Sequence, residues 1–253
     1  MTAVDASSQP VPPNAEPKPN PWQRIVGVFF SPTETMQSIA RRPDIVVPLV
    51  ILLVCSALMG VVIGMRVDFA AAAMENMPPN APAAQAESAM KMAAMIGKIS
   101  SFVAPLFTLI GLAIIAGVLL IAFRIMGGEG DYKQAFSVLT YASFPTVLKS
   151  LITAIVLLAR SGVGAQELET LVRSNAAFLV EQKTNPILFS LLTSFDVFTI
   201  WFVILLIIGF AAISRFSKAK SAAIIISLWM VAIVVKLGFV ALGAAMRNKA
   251  AAA

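Results

Sequence analysis

Apolar side chains in this chain are massed in five blocks, at residues 45–64, 102–126, 136–159, 187–214 and 222–246, rather than spread at helical or strand intervals. Each block reaches the about 20 residues that carry a helix across a hydrocarbon core of roughly 30 Å. Only a helix or a closed barrel satisfies its backbone in lipid, and blocks this long are helical. The pattern therefore predicts an all-α, polytopic transmembrane bundle of five spans within residues 43–249.

Shorter patterns lie between and before the blocks. Residues 1–21 hold six prolines among small polar residues and are expected to be a disordered cytoplasmic tail. Residues 22–42 predict two short helices. In the first, Trp22, Ile25, Val26, Phe29 and Phe30 fall on a helical face flanked by Arg24, which suits the membrane interface or the cytoplasmic ends of the spans. In the second, Ser31-Pro32-Thr33-Glu34 has the form of a capping box. A Met-rich segment from Met90 to Ile99 leads into the second span, whose Gly111, Ala113, Ala116 and Gly117 permit close helix approach. Gly127-Gly128-Glu129-Gly130-Asp131 reads as a tight turn, since neither a preceding strand nor a following Lys-Ser/Thr makes it a phosphate cradle. Leu168, Leu171, Val172 and Leu179 give the loop at 160–185 a modest helical face at the outer interface. Asn185-Pro186 starts a fourth helix expected to run unbroken to Ser214.

Polar residues inside the blocks carry the candidate chemistry. Pro145 frees the Tyr141 carbonyl and should kink the third span, and Tyr141, Pro145 and Lys149 share one stripe at intervals of four. Asp196 is the acid of the fourth block and Lys236 the base of the fifth. At 1.5 Å per residue both lysines sit roughly 20 Å from the cytoplasmic boundary, and Asp196 roughly 29 Å from Arg215. Two readings stay open: Asp196 pairs with Lys149 or Lys236, or the three charges snorkel separately to the interface.

Composition sharpens this picture. Hydrophobic residues make up 58% of the chain and charged ones 13%, and no water-soluble domain of this length could bury so much apolar surface. The net charge of +6 comes from basic residues beside apolar blocks, which reads as orientation signal and headgroup contact rather than a nucleic-acid surface. Trp22, Arg24, Phe29, Phe30, Lys218 and Lys220 are the candidate interface contacts. Basic residues nearly balance across the membrane, but those on the amino-terminal side concentrate beside span ends, so a cytoplasmic amino terminus and an external carboxyl terminus are expected. There is no histidine, and Cys55 has no second sulfur to pair with. No metal, cofactor or catalytic residue is expected, and an enzyme lacks a nucleophile with a base in defensible geometry.

Three stretches together resemble the Yip-one (Ypt-interacting protein) family of five-span membrane proteins. They are Val28-Phe29-Phe30-Ser31-Pro32-Thr33-Glu34-Thr35 and Tyr132-Lys133-Gln134-Ala135-Phe136 with Tyr141 and Pro145. The third is Asp196-Val197-Phe198-Thr199-Ile200-Trp201 through Leu205 and Gly209 to Ser217-Lys218-Ala219-Lys220. The likeness covers about residues 22–246. It implies a five-span fold without a catalytic residue. Eukaryotic members of that family are Golgi and endoplasmic reticulum proteins that bind Rab-type GTPases, whereas bacterial members have no settled activity. Intramembrane lysines are not part of the family pattern. The Ala-rich composition points to a bacterial inner membrane rather than the Golgi or endoplasmic reticulum. The expected function is a non-enzymatic membrane protein that organises other membrane proteins or lipids. The alternative is a small-solute or ion transporter using Lys149, Asp196 and Lys236.

Overall fold

A computed structural model describes residues 20–75, 77, 82–160 and 163–252; the expected tail at residues 1–19 and the proline-rich stretch 78–81 lie outside the described residues. The described chain is helical. Five of its helical segments are long and apolar enough to cross a membrane: Val46–Arg66, Phe102–Ile125, Tyr132–Ala159, Val197–Ser214 and Lys218–Met246.

Two short helices precede the first span. In α1, Pro21–Phe30, the Asn20 side chain accepts the Trp22 N–H at 3.0 Å and Pro21 occupies the first turn. The chain then turns at Ser31 into α2, Pro32–Arg41. The expected capping box at Ser31 and Glu34 does not form. The Ser31 N–H that Glu34 would have to reach already donates to the Gly27 carbonyl at 2.7 Å, ending α1. Gly27 is required at this corner, because a Cβ there would collide with the Thr35 hydroxyl.

The first span is α3, Val46–Arg66, followed by the short α4, Phe69–Glu75. The second span is the membrane part of α5, Ala83–Ile125, whose Met-rich lead-in continues the same helix outward. α3 packs along α5 and α4 against its outer part. A Ser56 to Thr108 hydroxyl pair at 2.8 Å ties the two spans. α5 ends in a Schellman turn: the Gly128 N–H reaches the Phe123 carbonyl at 2.8 Å and the Gly127 N–H that of Arg124 at 3.0 Å, with Gly127 at φ +84°. The glycine-rich stretch is thus a turn. It delivers Asp131 as a complete capping box with Gln134 on α6, Tyr132–Ala142.

The third span breaks at Ser143 between α6 and α7, Phe144–Ala159, with Pro145 in the first turn of α7. Local hydroxyls occupy the carbonyls around the break: Ser143 Oγ donates to Leu139 O at 2.8 Å and Thr146 Oγ1 to Ser143 O at 2.7 Å. Beyond α7 the segment expected to have a helical face forms two 3-10 turns, Ala165–Glu169 and Ala176–Leu179. Leu168 and Leu171 there pack against a satellite cluster of Val67, Leu157 and Val163 at the end of the bundle remote from α1 and α2.

The fourth block is not one helix. α8, Pro186–Ser194, stops, and α9, Val197–Ser214, starts afresh after Asp196. The Asp196 carboxylate accepts the N–H groups of Phe198 at 2.9 Å and Thr199 at 3.3 Å, the N-cap geometry that opens a new helix. Arg215 at φ +58° closes α9, and α10, Lys218–Ala252, completes the bundle.

The core centres on α6. Ala135 to Ala142 are all buried, enclosed by α1, α2, α3, α5 and α9. Val28, Met36, Ile39, Phe123, Leu139 and Phe210 meet there, with the rings of Phe123 and Phe210 4.9 Å apart. Gly209 lets α9 approach α6, since a Cβ would collide with Val138. Gly111 and Gly117 play no such role: nothing lies within 4 Å of a Cβ at Gly111, and at Gly117 only the edge of Tyr132 is reached, at 4.0 Å. α10 packs on α8 and α9 along one side and leaves Val231, Val234, Val235, Phe239 and Leu242 exposed, a surface suited to lipid.

Candidate functional site

Two buried polar clusters flank the kink of the third span. The first joins α1 and α2 to the bundle. Arg24 is 4% exposed and forms an ion pair with Asp44. Its guanidinium also donates to Arg42 O at 2.9 Å, Ser38 O at 2.9 Å and Ser38 Oγ at 3.0 Å. Asp44 accepts a second bond from the Tyr141 hydroxyl at 2.6 Å, while its backbone carbonyl accepts from Ser137 Oγ at 2.8 Å. Gln134 Nε2 donates to Ala40 O at 2.7 Å, a further tie between α6 and the end of α2. A planar, multiply donating guanidinium suits this junction, where several carbonyls and a carboxylate converge.

Arg24 therefore does not reach for headgroups as expected from its place beside an apolar face. It turns inward because Asp44 and the last carbonyls of α2 lie on that side. The other expected interface residues divide. Trp22 and Phe30 are 61% and 82% exposed and, with Val26, form an outward stripe at intervals of four. Phe29 is half-buried, edge-on to Trp201 with ring centroids 5.5 Å apart. Lys218 and Lys220 are exposed; Lys220 sits 3.5 Å from the Phe216 ring centroid and donates to Met126 O at 3.2 Å.

The second cluster lies on the other side of the kink. Lys149 Nζ donates to Asp196 Oδ2 at 2.9 Å, with the carboxylate side chain 1% exposed and the lysine 27%. Ser174 Oγ donates to the same oxygen, while Oδ1 takes the two backbone N–H groups of α9. Four donors thus surround Asp196, and the break in the fourth block gives it two of them. Lys236 is not among them. It donates to Ser190 O at 3.3 Å, Thr193 Oγ1 at 3.0 Å and Ser194 Oγ at 3.4 Å, at the carboxyl end of α8.

The stripe of Tyr141, Pro145 and Lys149 is accordingly divided: Tyr141 faces Asp44, Lys149 faces Asp196, and Pro145 lies buried at the kink between them. Sequence reasoning missed Asp44 and Ser174. Asp44 was legible as an acid at the mouth of the first span, within reach of Arg24. Ser174 carried no signal, because it is placed by an irregular loop. Among the described residues, no group of three His, Cys, Asp or Glu side chains could hold a metal ion.

A family model described as the Yip1 domain matches residues 26–239. No curated protein and no solved structure matches the chain.

Proposed function

The chain belongs to the Yip1 domain family, as a multi-pass membrane protein, and from that premise we propose that it is a non-enzymatic scaffold that organises other membrane proteins. In this reading it sits in a bacterial inner membrane with α1 and α2 on the cytoplasmic side. One observation carries the proposal: α1 and α2 are clamped to the bundle through Arg24, Asp44 and Tyr141, yet α1 keeps Trp22, Val26 and Phe30 outward. A rigidly held, amphipathic platform at the end of a bundle presents an aromatic surface whose ordering cost is already met by the fold.

The polar residues within the spans support a structural role beside it. Asp196 has donors on both oxygens, and Tyr141 and Lys149 each engage a carboxylate. A solute would have to displace these bonds.

The test is site-specific photocrosslinking in native membranes, with the crosslinker placed at Gln23, Val26 or Phe30 on α1 and, for comparison, at Val234 or Phe239 on α10. A scaffold gives one reproducible protein adduct from the α1 positions, retained when Lys149, Asp196 and Lys236 are all neutralised. Solute flux in proteoliposomes that disappears in the same triple variant, with no α1 adduct, would establish transport instead.

A further inference from the structure

At the end of the bundle remote from α1 and α2, a crevice of about 380 Å³ opens between α8 and α10, lined by Glu169, Gln182, Phe189, Ser190, Lys236 and Val240 among others. Its polar atoms are unfinished. Ser190 is 5% exposed and its Oγ has no partner; Gln182 Oε1 is buried and has none either. An unpaired buried hydroxyl or amide is costly in a protein that offers no ligand for it. Lys236 makes its three bonds at 3.0 to 3.4 Å, long for an ammonium, so a stronger acceptor can compete for its protons.

We propose that this crevice binds the headgroup of an amine-bearing phospholipid, the phosphate held by Lys236 and Ser190 Oγ and the ammonium by Glu169 and Gln182 Oε1. The ligand class follows from charge and setting. One cation and one carboxylate line the crevice, a balance that suits a zwitterion better than an anion. Ser190 supplies a free donor for phosphate oxygen and Gln182 a free acceptor for an ammonium N–H. The apolar wall supplies the rest. Phe189, Pro186, Val240 and Gly243 line the crevice, a Cβ at Gly243 would meet nothing within 4 Å, and the exposed Phe239, Val235 and Val231 carry an apolar stripe from it along α10 towards the middle of the span. Acyl chains can lie on that face while the headgroup sits at the span end, so a lipid fits where a soluble phosphate ester would leave apolar surface wet. The inference concerns the opposite end of the bundle from the α1 platform and stands or falls apart from the scaffold reading.

The full chain, purified in detergent and stripped of lipid, is titrated with short-chain phosphatidylethanolamine, phosphatidylcholine, phosphatidylglycerol and soluble phosphoethanolamine, read by native mass spectrometry and thermal stabilisation. Phosphatidylethanolamine should bind at one copy per chain. Phosphatidylcholine, whose quaternary nitrogen has no proton to give Glu169 or Gln182, should bind at least about fivefold more weakly. Ser190→Ala removes a buried hydroxyl that bonds nothing in the protein, so it should not lower, and should if anything raise, the melting temperature of the lipid-free chain while weakening lipid binding about fivefold. Glu169→Gln should abolish the preference for ethanolamine over choline even if Lys236→Gln fails to fold. Equal binding of the three lipids, insensitivity to both Ser190→Ala and Glu169→Gln, or phosphoethanolamine binding as tightly as the lipid would each overturn the proposal.

Discussion

Removing one member of the Lys149 and Asp196 pair should cost different amounts depending on which is removed. Lys149→Met leaves a carboxylate 1% exposed with its counter-charge gone, a situation that typically costs about 3–5 kcal/mol. Asp196→Asn leaves the lysine, which is 27% exposed and has a long stem to carry its ammonium outward. The asparagine oxygen still accepts from Phe198 and Thr199, so the start of α9 survives, and the expected cost is about 1–3 kcal/mol. In the double variant no buried charge is stranded, and its cost should approach that of Asp196→Asn alone, so the coupling should approach the full cost of Lys149→Met, about 3–5 kcal/mol. The assay is reversible unfolding in mixed micelles, followed by far-ultraviolet circular dichroism. Fluorescence of Trp229 in a Trp22→Phe, Trp201→Phe background gives a second readout. Trp229 lies edge-on to Phe195 at 5.4 Å and so reports on the break beside Asp196. Asp196→Asn costing more than Lys149→Met, or single effects that add within about 0.5 kcal/mol, would refute the reasoning.

Three further outcomes follow from the packing. Arg24→Lys keeps the charge but cannot reproduce the fork to Asp44, Ser38 and Arg42, so amide hydrogen exchange in α1 and α2 should accelerate by about tenfold, and unchanged exchange there would contradict the clamp. Gly209→Ala should destabilise by about 1–3 kcal/mol through collision with Val138, whereas Gly111→Ala should be neutral or gain about 0.5–1 kcal/mol; equal effects in the same unfolding assay would show that α6 and α9 are not in contact there. Five crossings put the two ends of the chain on opposite sides, so reporter tags at residues 1 and 253 should respond from different compartments, and tags reporting from one compartment would remove a span.

The five spans were legible because length and apolarity are the properties the bilayer itself selects. Boundaries set by single polar contacts were not. Ser31-Pro32-Thr33-Glu34 has the form of a capping box, but the pattern says nothing about whether the serine N–H is free, and here α1 has taken it. Asp131 and Gln134 have the right spacing too, and there the box is real because nothing upstream competes. Arg24 illustrates a second limit. Its position beside Trp22 and Phe30 fits an interfacial anchor, and only the fold of α2 brings Ser38, Arg42 and Asp44 around it.

The fate of Asp196 and Lys236 shows why charges at similar depth need not meet. Treated as points on two unbroken cylinders, an acid and a base in neighbouring spans look like each other's natural partners. Breaking the fourth block changes the electrostatics, because it creates a new amino terminus at α9 and a new carboxyl terminus at α8 within two residues of sequence. The backbone dipole favours a negative charge at the first and a positive charge at the second. Asp196 caps the first, Lys236 bonds the carbonyl and hydroxyls at the second, and Lys149 adds its charge to the acid from α7. One turn before the end of α8, the Ser190 hydroxyl has no protein partner and lines one crevice with Lys236. The discontinuity therefore gives the buried acid and the base separate helix ends to bond, which two unbroken cylinders would not offer.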